Sequence, residues 1–167
     1  MKNVVLIGMP GAGKSTVGVV LAKTLGMNFV DTDLLIQAET GQKLQEIINE
    51  KGSAAFLAIE NDVVKRLSLP SAVVATGGSV IFGPEAMQSL KKNGVILYIR
   101  LSAETIADRL KNIQTRGIAM PPGMTIADLY AQRAPLYEQY ADVVAEAEGK
   151  SLEETVTLLV QLLDGKL

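Results

Sequence analysis

Neither cysteine nor histidine occurs among the 167 residues. The first absence removes thiol nucleophiles and disulfides, and the second removes imidazole acid–base catalysis. Together they remove zinc sites of the Cys/His type. Chemistry must then run on Asp, Glu, Lys, Arg, hydroxyl groups or a bound hard metal. A strong charge of either sign is also lacking: 16 Lys and Arg stand against 18 Asp and Glu, a formal net of −2. That balance argues against broad nucleic-acid binding, which needs a basic face to displace counterions. No stretch approaches the length of a membrane span, and the apolar start is too short for a secretory h-region before it breaks into glycines. By default these exclusions point to a cytoplasmic protein without membrane or nucleic-acid partners. With 48% apolar residues, the chain is long enough to bury a substantial core as one domain, 1–167.

What is present alternates. Short β-branched runs are separated by helical stretches, the pattern of an α/β domain with a mainly parallel sheet. The runs predict strands at Asn3–Ile7, Asn28–Asp31, Ala72–Ala75, Val95–Ile99 and Asp142–Ala145. The first, third and fourth are apolar on both faces, as strands covered by helices on each side should be. Helical spacing runs over Val17–Leu25, Leu34–Glu39, Glu85–Lys92 and Ala103–Lys111. Gly83-Pro84 and Ser102 suit the starts of the last two, and Ser151 with Glu154 forms a capping box for a final helix.

Between the first strand and first helix lies Gly8-Met9-Pro10-Gly11-Ala12-Gly13-Lys14-Ser15, the G-x-x-x-x-G-K-[ST] phosphate loop in its proper setting. The expected ATP contacts are the backbone of Gly11, Ala12, Gly13, Lys14, Ser15 and Thr16, at the positive end of a helix. Lys14 would reach the β- and γ-phosphates, and the Ser15 hydroxyl would ligate Mg²⁺.

Other candidates sit at strand ends, where a parallel sheet gathers its ligands. Asp31-Thr32-Asp33 follows the second strand, and alternation of an extended chain puts Asp31 and Asp33 on one side with Thr32 on the other. One carboxylate near Mg²⁺ and one near an acceptor hydroxyl would suit phosphoryl transfer, whereas Asp33 could merely cap a helix. Thr76-Gly77-Gly78-Ser79 follows the third strand; its glycines allow either close approach to a ligand or a turn with φ > 0. Asn112–Met124, with two glycines and paired prolines, is long for a connection and is expected to be a mobile functional loop. Arg109, Arg116 and Arg133 stand near it, and Arg133 precedes Pro135, a residue expected to interrupt a helix.

Taken together, the phosphate loop, Asp31-Thr32-Asp33, Ala75-Thr76-Gly77-Gly78, Arg116 and Arg133-Ala134-Pro135-Leu136-Tyr137 closely resemble the shikimate kinases over nearly the whole chain. The resemblance implies a three-layer α/β/α P-loop kinase fold, a five-stranded parallel sheet in the order 2-3-1-4-5, a lid at about 112–124 and a substrate-binding segment at about 33–61. It implies a monomer that transfers the γ-phosphoryl of ATP, with Mg²⁺, to the 3-hydroxyl of shikimate, within aromatic amino acid biosynthesis. By position, Asp31 would order magnesium-bound water, and Asp33 would bind substrate hydroxyls and take the attacking hydroxyl's proton. Gly77 and Gly78 would line the substrate site, Arg109 would stack near adenine, Arg116 would reach the phosphates, and Arg133 would grip the substrate carboxylate.

The chain also departs from that pattern. Where the family carries Phe-Arg-x-x-Glu, here stand Phe56-Leu57-Ala58-Ile59-Glu60, so Leu57 occupies the position of a carboxylate-binding arginine. None of Ser53, Ala54, Glu60 or Asn61, one turn away, restores the charge. Ser79 stands for the family's third glycine, and Gly117 for a stiffening lid proline. The expected consequence is a more acidic pocket. Three readings follow: a shikimate kinase, the same chemistry on a neutral or amine-bearing alcohol, or an ATP-binding module without turnover.

Overall fold

The computed structural model describes residues 1–111 and 118–167. Strand β1 (Asn3–Ile7) leads through the phosphate loop into α1 (Lys14–Leu25), then β2 (Asn28–Asp31), α2 (Thr32–Thr40), α3 (Leu44–Lys51) and α4 (Ser53–Lys65). Next come β3 (Ala72–Ala75), a 3₁₀ turn over Val80–Phe82, α5 (Pro84–Lys92) and β4 (Gly94–Arg100). The chain finishes with α6 (Ala103–Lys111), α7 (Ile126–Tyr140), β5 (Val143–Glu146) and α8 (Leu152–Leu163).

All strand pairs are parallel, and the order is β2-β3-β1-β4-β5, as the resemblance implies. Val4, Val5, Leu6 and Ile7 are wholly buried. Since successive strand residues point to opposite faces, helices must cover both sides of the sheet. Helix α1 packs on α8 and β3, while α5 packs on α4 and β4. A separate apolar cluster of Ile36, Leu44, Ile47, Phe56, Val63 and Ala119 ties α2, α3 and α4 together beside the sheet.

The topology positions the cleft. From β1 the chain crosses β3 to reach β2, and from β3 it crosses β1 to reach β4. Connections therefore leave two neighbouring strands in opposite directions, which opens a crevice at their carboxyl ends. The loops entering that crevice are the phosphate loop after Ile7 and Thr76-Gly77-Gly78 after Ala75.

Four local expectations are corrected. Helix α1 starts at Lys14 rather than Val17, because Gly13 takes a left-handed φ of 86° as its N-cap. Helix α2 starts at Thr32 rather than Leu34, so the alternation assumed across residues 31–33 does not hold, and Thr32 is wholly buried. Strand β5 starts one residue later than expected; Asp142 still joins β4, its carboxylate accepting from the Ile96 amide at 2.9 Å. Pro135 does not interrupt α7. Leu129, Arg133 and Tyr137 form a buried stripe that holds the helix, while Pro135 and Ala131, whose carbonyl loses its donor, both face water.

Asn3 illustrates how the sheet is stitched. Its amide donates to Leu69 O at 3.0 Å and its carbonyl accepts from Ala72 N at 2.8 Å, fixing the start of β3 beside β1. Asn3→Ala removes both bonds and should lower the unfolding free energy by about 1–3 kcal/mol, read as a lower urea midpoint at unchanged slope.

Candidate active site

The phosphate loop folds as its glycines require. Gly11 and Gly13 hold φ of 83° and 86°, a region that residues with a Cβ rarely enter. Lys14 is buried, and its ammonium donates to the carbonyls of Gly8 and Met9 at 2.8 Å each. Ser15 and Thr16 stand exposed at the head of α1, where backbone amides have no helical acceptors. The Ser15 hydroxyl donates to Asp31 Oδ2 at 2.8 Å. These groups suit phosphate oxygens and a hard cation. Among the described residues no three carboxylates or comparable ligands cluster around a metal position. A cation would draw most of its ligands from phosphate and water, which is the habit of Mg²⁺.

Asp31, not Asp33, is the N-cap of α2: Asp31 Oδ1 accepts from the Asp33 amide at 2.9 Å. This leaves the Asp33 side chain to line the cleft together with Lys14, Ser15, Thr16, Gly77, Gly78 and Arg133. The third-strand loop is pinned by Thr76, whose hydroxyl donates to Leu6 O at 2.7 Å. Neither Gly77 nor Gly78 adopts a left-handed φ. Close approach is the reason for both. A Cβ on Gly77 would lie 2.8 Å from Glu60 Oε2 and 2.9 Å from Asp33 Oδ1; one on Gly78 would lie 2.7 Å from Pro10 Cδ and 3.1 Å from an Arg133 nitrogen.

Arg133 is 1% exposed, one of the largest fully buried side chains. It donates to Ala119 O at 2.7 Å and lies 5.4 Å above the Phe82 ring. One turn on, the Tyr137 hydroxyl donates to Gly78 O at 2.5 Å, so α7 both carries the guanidinium and clamps the glycine loop. Arg109 stands on the other side of the phosphate loop, donating to Gly11 O at 3.1 Å. There it borders a second cleft with Ala12, Thr16, Leu101, Ala147 and Lys150. Leu57 does not line the main cleft; it packs on the apolar cluster of α2–α4. Arg116 lies outside the described residues, as do positions 112–117 of the expected lid, while Ile118 and Ala119 border the cleft.

Glu60 corrects the expectation of added acidity. It is 1% exposed and accepts from the Ser79 hydroxyl at 2.6 Å. Burial pushes its carboxyl from 4.5 up to about 7, with Asp33 adding to the rise and Ser79, Arg133 and Lys14 opposing it. Along the chain Glu60 reads as a charge, Ser79 as a departure from the family pattern, and Tyr137 and Phe82 as residues without a role, because no local signal shows which distant side chain each one meets.

The shikimate kinase family model matches residues 10–164. The chain is similar to the shikimate kinase of Thermodesulfovibrio yellowstonii, with 40% identity over 164 residues, covering 96% of this chain and 94% of that protein. Among solved structures it is similar to shikimate kinase from Acinetobacter baumannii in complex with shikimate, at TM-score 0.91 and 31% identity, covering 100% and 96% of the two chains. It is also similar to the Aquifex aeolicus shikimate kinase, at TM-score 0.82 and 32% identity over 98% and 96%.

The Glu60 shift carries a stability signature. Between the ordinary value of 4.5 and about 7 the folded protein holds a proton that the unfolded chain has lost. Stability from this group therefore falls as pH rises through that window and is level on either side. In Glu60→Gln, which cannot ionise, that fall disappears. Relative to the native chain, the variant should gain roughly 3 kcal/mol in urea unfolding between about pH 4.5 and about pH 8. A pH-independent difference between the two proteins would contradict a buried, protonated Glu60.

Proposed function

The chain belongs to the shikimate kinase family, and we propose that it transfers the γ-phosphoryl group of ATP to the 3-hydroxyl of shikimate. It is a small-molecule kinase. What supports this acceptor is one observation: the phosphate loop and the wholly buried Arg133 line the same cleft, with Asp33 between them in chain order and on the same walls.

The residues divide the work. Main-chain donors from Gly11 to Thr16 would cradle the phosphates, and Lys14 would leave its loop carbonyls for the β- and γ-oxygens. Ser15, with Asp31 acting through water, would hold Mg²⁺; when bound, the ion neutralises charge on the transferring group. Arg133 would pair with the acceptor carboxylate, a geometry suited to its planar donors. Asp33 would accept a hydrogen bond from the 3-hydroxyl. As that oxygen bonds to the γ-phosphorus and the β–γ bridging oxygen departs with ADP, the hydroxyl proton passes to Asp33. Arg109 would border the adenine, and Arg116 would reach the phosphates from the lid. Catalysis rests on alignment and charge stabilisation rather than on a strong base.

A second acceptor class keeps the same chemistry. Leu57 does not line the cleft, so Arg133 is the one arginine there among the described residues, and with Asp33 and Glu60 on the same walls a neutral or amine-bearing alcohol is the second candidate.

Coupled ATP turnover measures the choice. Shikimate should raise turnover well above the ATP-only rate, and Lys14→Ala should reduce it by at least about a hundredfold. Absence of any rise with folded protein, set against turnover of another hydroxylated metabolite, would transfer the assignment to that acceptor. Leu57→Arg should lower the shikimate KM by about tenfold or more, the usual worth of a charged hydrogen bond. An unchanged KM would mean that a side chain at position 57 does not reach the acceptor carboxylate.

A further inference from the structure

Glu60 is a buried acid that the transfer chemistry leaves unused. Its Oε1 accepts from the neutral Ser79 hydroxyl at 2.6 Å, and no ion pair reaches it among the described residues. Its Oε2 has no hydrogen-bond partner, is shut off from solvent, and faces the α-carbon of Gly77 alongside Asp33 Oδ1. A bare carboxylate oxygen in such a place loses its hydration without compensation, at a far greater cost than a neutral carboxylic acid.

The surroundings decide how much its charge matters. Asp33 faces it from α2, Lys14 from the phosphate loop, Arg133 and Tyr137 from α7, and Ser79 from the loop before the 3₁₀ turn. The carboxylates of α5 and α3, which pack on α4, are engaged elsewhere. Glu85 of α5 pairs with Lys65 and Asn61, and Glu46 and Glu50 of α3 bond to Lys43 N and Gln42. By formal charge, the described cleft side chains carry one excess positive charge when Glu60 is neutral and none when it is ionised.

We infer that Glu60 is the charge gate of the acceptor pocket: as a neutral acid it admits an anionic acceptor, and on losing its proton it repels one. This rests on the reading of the cleft as the site of a carboxylate-bearing alcohol. The pair Glu60–Ser79 thus sets an upper pH limit on acceptor binding, separate from the phosphate-transfer groups. A carboxyl pushed up to about 7 by burial would make that limit fall near neutrality. A like charge about 6–12 Å away weakens binding by about ten- to a hundredfold at an effective dielectric near 20.

Calorimetry of shikimate with the full chain, without nucleotide, tests this. The Kd should rise about tenfold or more between about pH 6 and about pH 8.5. Near pH 7.5, binding heats in buffers of different ionisation enthalpy should reveal uptake of about half a proton or more. Glu60→Gln should flatten the pH profile and abolish the uptake. A native Kd independent of pH, with no proton uptake, overturns the inference whether or not the variant folds. If shikimate gives no heat at either pH, the acceptor assignment falls. The carbon-13 carboxyl signal of Glu60, identified by its loss in Glu60→Gln, then decides the gate. A midpoint near neutrality sustains it, and one in the ordinary glutamate range overturns it.

Discussion

Val4, Val5 and Leu6 of β1 lie opposite Val73, Val74 and Ala75 of β3, and this parallel pairing governs the rest of the molecule. The two strands end within one residue of each other, and their connections part in opposite directions. A crevice is left between two loops that are far apart in sequence. Thr76 then welds the end of β3 to Leu6 of β1 through both its amide and its hydroxyl. Without that weld, the glycine loop would have no fixed distance from the phosphate loop. With it, Gly78 comes so near Pro10 that no side chain fits between them.

How far the sequence could be read follows from the range of the forces involved. Strands β1 and β3 lie where their apolar runs predict them, since burial on two faces leaves a contiguous apolar record. The phosphate loop is legible for a similar reason: backbone conformation and spacing are local matters. Residues whose roles depend on distant partners are harder to read. Asp31 and Asp33 are chemically alike, and only the path of α2 makes the first a cap and sets the second on the cleft wall. Pro135 reads as a break because local propensity disfavours it, yet the buried face of α7 outweighs that penalty. Gly77 and Gly78 are visible as glycines, but what crowds them comes from α2, α4, α7 and the phosphate loop.

Charge shows the same limit. A tally of ionisable residues credits Glu60 with a full negative charge, and the loss of an arginine at position 57 makes that charge look unbalanced. Burial eases the imbalance by pushing the carboxyl up to about 7, so that the charge is lost below neutrality. Ser79 then has a physical meaning that the motif comparison alone lacks. Its hydroxyl donates to Glu60 Oε1, which a glycine cannot do, and so limits how far burial raises the carboxyl. Two departures that look independent along the chain, at positions 57 and 79, therefore converge on one side chain.

Arg133 and Tyr137 are one turn apart on α7, the first aimed at the cleft and the second fastened to Gly78. Each added or deleted residue turns the following part of a helix by about 100°. An insertion or deletion between these two would therefore swing Tyr137 off the glycine loop while Arg133 stayed in place. The two contacts therefore fix the length of this stretch, while its outer face, Pro135 included, meets water and carries no such constraint.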